Sequence, residues 1–448
     1  MKKKYFIIVF ILVLVNSFSS CEQEEFFELT NPPEFPWLNI TEFERAVVSP
    51  YHYSFMSSWG GMFYISDIVL NDCMTDLVYH IPGASASYPS NEIYNRQTNV
   101  EIDRASQAFG VAYNSIGLIN AALNFYYSNN ENPFPDASQE DVEHNLKRII
   151  GELHFMRAFA YFYLAVRHCP VPGAPDFANK PILPFRKDAI DAERALNPEF
   201  VTTDVIYDFI IEDIKVAIGL LPVKYIDGLH HPSYQYGRIN QFGAKAFLSR
   251  IYFRMGEYEK ALAEVDEVIR NNDGMFSLNQ DPIEAWNRSD ASRGNEVIWQ
   301  AIYYDKQLGV TPKDATLFTF LDYRAENGGH GEYFKRSTWH LFSMSNSAAQ
   351  KLGWMDEEYG ETEEAIRDKR YQQLYHRLEG HRGSFADDPD VYEQQYFNVT
   401  EPRIWGDKYF RGPDGQYTNV PVIRLSEMYL TRAILRFKNG DKQGAADD

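Results

Sequence analysis

The sequence predicts a mainly α-helical protein: a scaffold of tetratricopeptide-like helix pairs carrying irregular loops and short β insertions. Three observations lead there. Between Glu152 and Cys169 there is neither Gly nor Pro, and the run is filled with Leu, Met, Phe, Tyr and Ala, the composition of a helix buried on more than one side. From Gln241 to Arg270 apolar residues recur at helical spacing on both sides of Gly256, and the Tyr252, Gly256, Ala261 spacing is that of a tetratricopeptide hairpin. From residue 37 onward no Gly/Ser-rich linker or shift of composition divides the chain, so residues 37–448 read as a single domain.

The N-terminus sets the compartment. Lys2, Lys3 and Lys4 precede an apolar run from Tyr5 to Val15, followed by Ser17, Ser19, Ser20 and Cys21. The run is too short to span a bilayer and reads as a signal peptide over residues 1–20. Cys21 directly after two serines looks like a lipobox cysteine, acylated to become the mature N-terminus, although Phe18 is bulkier than usual three residues before such a cysteine. More than one acyl chain gives stable anchoring. Residues 21–36, with Glu22, Glu24, Glu25 and three prolines, read as an acidic, extended tether.

Composition excludes one class of partner. The formal charge is −20, and removing a signal peptide with three lysines makes it about −23. Nucleic acid is not expected to bind so acidic a surface. Thirty Tyr and 31 Phe supply a large core and leave rings for a binding surface. Beyond Cys21 only Cys73 and Cys169 remain, and spacing alone does not decide between a bridge and two buried thiols.

Taken in order, Asn39–Met56 is expected to form a first helix with Thr41 as N-cap and Glu44 at the capping-box position. Gly83–Asn99 is a loop rich in Gly, Ser, Pro, Asn and Tyr. Helical spacing returns over Ile102–Tyr127. In the buried helix Arg157 requires a carboxylate or carbonyl partner, and Pro170-Val171-Pro172-Gly173 then ends it. Val205–Pro222 and the Gln241–Arg270 hairpin follow. Val297–Tyr304 is β-prone, and Gly309–Gly331 and Gly380–Gly415 read as irregular insertions. Ile423–Phe437 reads as a helix, Gly440 as a turn, and Ala445 echoes Ala261; a hairpin cut at this point would leave apolar surface of Leu430–Phe437 uncovered, so a longer natural chain is expected.

The buried helix carries Glu152, Phe155, Arg157, Ala158, Tyr161, Phe162 and Leu164, then Val171-Pro172. This resembles the signature helix of the SusD/RagB family of outer-membrane nutrient-binding lipoproteins. Tyr113, Ile116 and Asn120 resemble a second family helix, and Arg424, Glu427 and Leu430 part of a third, with Ile434 where the family has a carboxylate. The resemblance implies four tetratricopeptide-like helix pairs, a lipid-anchored position on the outer membrane through Cys21, and a role as the lid of a SusC-like TonB-dependent transporter. It implies capture of oligo- or polysaccharide; a peptide ligand on the same fold is the alternative, and a helical glycoside hydrolase a third.

Catalytic motifs are scarce. The chain lacks GxxxxGK[ST], GxGxxG, HExxH and GxSxG patterns. His230-His231 and the His376/His381 pair lack metal-ligand spacing, and neither metal nor cofactor is expected. What remains is aromatic rings in loops, beside polar groups able to bond sugar hydroxyls. If one stacked pyranose hides about 60–80 Å², each ring contributes about 1.5–2 kcal/mol, so a platform of several rings is needed. The candidates are Tyr88, Asn91, Tyr94 and Arg96 in the first loop, and Trp286, Tyr333, Trp339 and Trp354 in the insertions.

Overall fold

The computed structural model describes residues 37–55, 74–80, 94–97, 103–176, 179–189, 194, 196–286, 294–302, 342–378, 381–383, 397–399, 401–406 and 419–448. The signal peptide, the tether with Cys21, and Cys73 lie outside the described residues. Cys169 is a buried free thiol whose pKa burial pushes up.

A short helix, α1 (Ile40–Phe43), leads into α2 (Arg45–Phe55). Asn39, not Thr41, is the cap: its side-chain oxygen accepts from the Glu42 amide at 2.8 Å. Burying Ile40 and Phe43 starts the helix two positions earlier than expected, which puts Thr41 inside it and turns Glu44 into the interior. Strand β1 (Val78–His80) and helix α3 (Asp103–Ser128) come next, then α4 (Gln139–His168).

Helix α4 is the central element, and every residue from Arg148 to Ala165 is buried. It is long and apolar enough to cross a membrane, but 94% of its apolar window is already covered within the fold. Its neighbours α3 and α5 (Thr203–Leu220) use that surface. A Cβ at Gly151 would lie 3.0 Å from Leu220 Cβ, so the close approach of α4 to α5 depends on glycine there. The helix stops where expected, with Cys169 extended ahead of Pro170.

The small ladder of β2 (Leu183–Pro184) and β3 (Phe200–Val201) precedes α5. Beyond it, α6 (Gln241–Met255) and α7 (Tyr258–Arg270) form the predicted hairpin. Asn240 caps α6 by accepting from the Gly243 amide at 2.9 Å, and Gly256 ends it at φ 79°, a left-handed conformation that disfavours side chains. Ala261, Val265 and Val268 form the inner stripe of α7.

Strand β4 (Val297–Ala301) is wholly buried and pairs antiparallel with β10 (Val420–Arg424), which runs into α11 (Leu425–Lys438) and α12 (Lys442–Asp447). Ile423 and Arg424, expected to be helical, are strand because Trp299 and Val297 hold them in the ladder. The successive pairs α2/α3, α4/α5, α6/α7 and α11/α12 stack, with α3 on α4, α5 on α6 and α7 on α11. Their shared core centres on Trp299, whose ring meets Phe155 and Phe159 at 5.3 Å and Phe55 at 5.4 Å. Leu430, Ile434 and Phe437 on α11 are exposed.

A second unit occupies residues 342–406. It comprises β5 (Phe342–Met344), three short helices α8 (Asn346–Lys351), α9 (Glu363–Arg367) and α10 (Lys369–Leu374), then β6 (Tyr375–Leu378), β7 (His381–Gly383), β8 (Phe397–Val399) and β9 (Arg403–Gly406). The stretch expected to be irregular from Gly380 therefore contains paired strands, β6 with β9 and β7 with β8. Trp354, Met355, Tyr371 and Ile404 form its own small core. Strand β5 pairs antiparallel with β1, tying this unit to the segment ahead of the first loop.

Candidate ligand-binding corner

Two charge networks fix the scaffold before any site can be placed on it. In the first, Arg148 and Arg238 share the carboxylates of Glu44 and Glu152. Arg148 Nη1 donates to Glu152 Oε1 at 2.5 Å and Glu44 Oε1 at 3.2 Å; Arg238 donates from Nε to Glu152 Oε2 at 2.6 Å and from Nη2 to Glu44 Oε1 at 3.0 Å. Tyr51 adds its hydroxyl to Glu152 Oε2 at 2.9 Å and itself accepts from the Ile239 amide at 3.0 Å. Burial alone would raise the Glu44 pKa, but the two guanidiniums hold it below the ordinary value.

The second network lies farther along α4. Arg157 donates to both oxygens of Asp213 at 2.8 Å, to Asn120 Oδ1 at 2.8 Å and to the Lys187 carbonyl at 2.7 Å, which is the partner set its burial requires. His154 bonds Asp213 Oδ1 through Nδ1 at 2.7 Å. Because an ionised carboxylate only accepts, Nδ1 carries a proton, and Nε2 shares a hydrogen bond with the Tyr127 hydroxyl at 2.8 Å. Glu152, Arg157 and Asn120 are thus interior fasteners between elements, not ligand contacts.

A different environment lies where the two cores meet. Tyr79 on β1 and Tyr94 in the first loop are half-buried against the scaffold core, their rings 6.4 Å apart and edge-on. The Arg403 guanidinium, from β9 of the second unit, stacks on the Tyr79 ring with its carbon 3.6 Å from the centroid. Arg403 is only 7% exposed, yet among the described residues its one hydrogen bond runs from Nη2 to Glu401 Oε2 at 3.3 Å, and its Nε has no acceptor. Burial, insufficiently answered by charge, lowers its pKa. Arg148 and Arg186 also leave Nε without an acceptor, but Arg148 is held by two carboxylates and Arg186 is half-exposed. A buried donor left without a partner costs about 1–3 kcal/mol, so the arrangement at Arg403 calls for a function or a compensation.

The predicted site residues separate as follows. Tyr94 belongs to this corner, and Arg96, at φ 57°, reaches Asp76 at 3.8 Å on the exposed side of the same loop. Trp286 is buried in the scaffold core under the Arg424 guanidinium, 5.0 Å from its ring centroid. Trp354 is buried in the second core, where its Nε1 donates to Asp368 at 3.0 Å and its ring packs on Tyr371 and Tyr375. These two rings sit in different cores and are not brought together with Tyr94. Tyr88, Asn91, Tyr333 and Trp339 lie outside the described residues. His230 and His231 serve the local backbone, accepting from the amides of Ile226 and Ser233.

A cavity of about 320 Å³ opens elsewhere, between α1, the start of α4 and residues 228–231, lined by Glu44, Asp141, Asn145 and His231 among others. Its walls are polar and carry no Tyr, Phe or Trp ring. It lacks the flat apolar surface that a sugar face needs.

Residues 69–253 match the family model described as "Starch-binding associating with outer membrane". The fold is SusD-like. A SusD superfamily protein from Bacteroides thetaiotaomicron VPI-5482 shares 19% identity over 91% of this chain and 78% of its own, with a TM-score of 0.64. A laminarin binding SusD-like protein shares 17%, over 92% and 83%, with a TM-score of 0.65. Surface glycan-binding protein A from Bacteroides uniformis shares 19%, over 90% and 77%, with a TM-score of 0.62. At these identities the likeness is one of fold. No curated protein sequence matches.

Two residues of this corner are not among the sequence candidates. Tyr79 stands in Leu77-Val78-Tyr79-His80, just ahead of the loop that was singled out, and its β-prone neighbours are the signal that could have found it. Arg403, in Glu401-Pro402-Arg403-Ile404, has no local signal of its place in the corner: the rings it meets, Tyr79 and Tyr94, are 324 and 309 positions away.

Proposed function

We propose that this chain is a surface-exposed glycan-binding lipoprotein, anchored to the outer membrane through Cys21 after removal of residues 1–20 and held out on the tether 21–36. In this reading it captures oligo- or polysaccharide and passes it to a SusC-like TonB-dependent transporter, binding without catalysis. The observation that carries the reading is the corner of Tyr79, Tyr94 and Arg403, two half-buried rings and a guanidinium at the edge of a rigid helical scaffold. A sugar ring presents C–H groups on its face and hydroxyls at its edge, and this set answers both. Relatives of the same fold that are described as laminarin binding and surface glycan-binding support the assignment. Tyr88, Asn91, Arg96, Tyr333 and Trp339 are proposed to extend the platform.

Affinity electrophoresis of the purified chain through gels containing plant, host or microbial polysaccharides tests this. Retardation by at least one glycan, lost in Tyr94→Ala and Tyr79→Ala while the melting temperature holds, is the expected result. Migration unchanged by every glycan, together with binding to a peptide mixture, would transfer the function to peptide capture on the same scaffold.

A further inference from the structure

Resting on the glycan reading above, we infer that the corner selects a sugar bearing a carboxylate, such as a uronic acid, which replaces Glu401 on the Arg403 guanidinium while a ring face stacks beside Tyr79 and Tyr94.

The geometry argues for an acidic sugar over a neutral one. Arg403 is fixed by stacking on Tyr79, so its planar fork is presented in one orientation and loses little entropy on binding. Its Nε has no acceptor, and its single bond to Glu401 is long at 3.3 Å and comes from one nitrogen. Bidentate pairing with a carboxylate uses two parallel N–H groups, and that second position is unfilled by any described residue. Glu401 is poorly committed: its side chain is 49% exposed, and its other bond, from Asn346 Nδ2, is 3.4 Å long. It behaves as an exchangeable placeholder. A carboxylate arriving from solvent can take both donors, release Glu401 into water and leave no net charge buried. The interior networks offer no such opening, because Glu44, Glu152 and Asp213 are themselves buried with their arginines. The overall negative charge of the chain would repel acidic polymers at long range, and screening at physiological salt confines that repulsion to within about 8 Å.

The test pairs each acidic polymer with its own carboxyl-reduced form: polygalacturonate, alginate and hyaluronan, beside neutral laminarin, starch and xylan, all titrated against the purified chain. The expected result is that at least one acidic polymer binds about tenfold or more tightly than its reduced form, a factor corresponding to about 1.4 kcal/mol. Arg403→Met should abolish that preference, so that acidic and reduced polymers bind the variant alike, while the melting temperature holds. Glu401→Gln should strengthen binding to the acidic polymer, since it removes the competing carboxylate. Equal binding of acidic and reduced forms, or binding confined to neutral glycans, overturns this inference and leaves the glycan reading standing. Binding to no polymer overturns both. A melting temperature that falls sharply in Arg403→Met would make the residue a structural fastener and also overturn the inference.

Discussion

Arg238 and Arg403 are both buried arginines stacked on tyrosines, at 5.0 Å from Tyr51 and 3.6 Å from Tyr79, yet they stand in opposite electrostatic conditions. Around Arg238, Glu152 and Glu44 are buried too, so attraction exceeds the desolvation cost and its pKa rises. Around Arg403 the only carboxylate among the described residues is half in water, and its pKa falls. The first arrangement is complete and holds α1, α4 and the segment before α6 in place. The second is incomplete at the edge where two cores meet. A guanidinium with every partner in hand has nothing left to offer a ligand, whereas one held rigidly but underpaired does.

The sharpest way to break the comparison is to remove one partner from the complete network. Glu152→Ala leaves Arg148 and Arg238 to share Glu44, and should lower unfolding stability by about 3–5 kcal/mol, read from urea denaturation. Arg403→Met, by contrast, should change it by less than about 1 kcal/mol, because the removed charge was poorly compensated. Equal losses from the two substitutions would erase the distinction between fastener and site.

Acid comes next in size. Desolvation raises the pKa of Glu44 and Asp213, but the paired arginines outweigh it, and both lie below their ordinary values of 4.5 and 3.8. With folded pKa values depressed, the unfolded chain binds more protons in acid. Their stabilisation is therefore fully present above about pH 4.5 and is lost as pH falls through the lowered folded values. The contribution of these two carboxylates should hold steady from neutrality down to that point and then drop, and Asp213→Asn should flatten that part of the decline at the price of a lower plateau.

The contrast also explains what could be read from the sequence. The buried helix, its end at Pro170 and the Gly256 hairpin were legible because local composition and turn chemistry decide them, and Arg157 announced its need for a partner by standing among large apolar residues. Thr41 and Asn39 are both capping residues two positions apart; the choice fell to whichever register buries Ile40 and Phe43, a tertiary effect. Ile423 and Arg424 look helical until β4, more than a hundred residues away, claims them as strand. Among the site candidates Tyr94 and Arg96 were reached through loop composition. The polar neighbours of Trp286 said nothing of Arg424 lying over its ring, and only folding reveals Trp354 as the hub of a second core.

Local turn chemistry gives a smaller test, with no ion pair to disturb. A Cβ at Gly256 would meet nothing within 4 Å, so Gly256→Ala isolates the backbone cost of φ 79°. The expected loss is about 1 kcal/mol, visible as a modest fall in melting temperature, with glycan affinity unchanged because Gly256 takes no part in the corner.

The smallest effect on stability should come from Tyr94, and it carries the most information. The ring is half-buried in a short described stretch of the first loop, so Tyr94→Ala removes limited apolar contact and should cost under about 1 kcal/mol of folding stability. If the ring stacks a sugar, the same substitution should weaken binding by about 1.5–2 kcal/mol, more than tenfold, from the area a pyranose covers. Tyr94→Phe keeps the face and drops only the hydroxyl, so it should retain most of that affinity. A loss shared equally by Phe and Ala would mean that the hydroxyl and not the ring face makes the contact, and the corner would then hold its ligand by hydrogen bonds and charge alone.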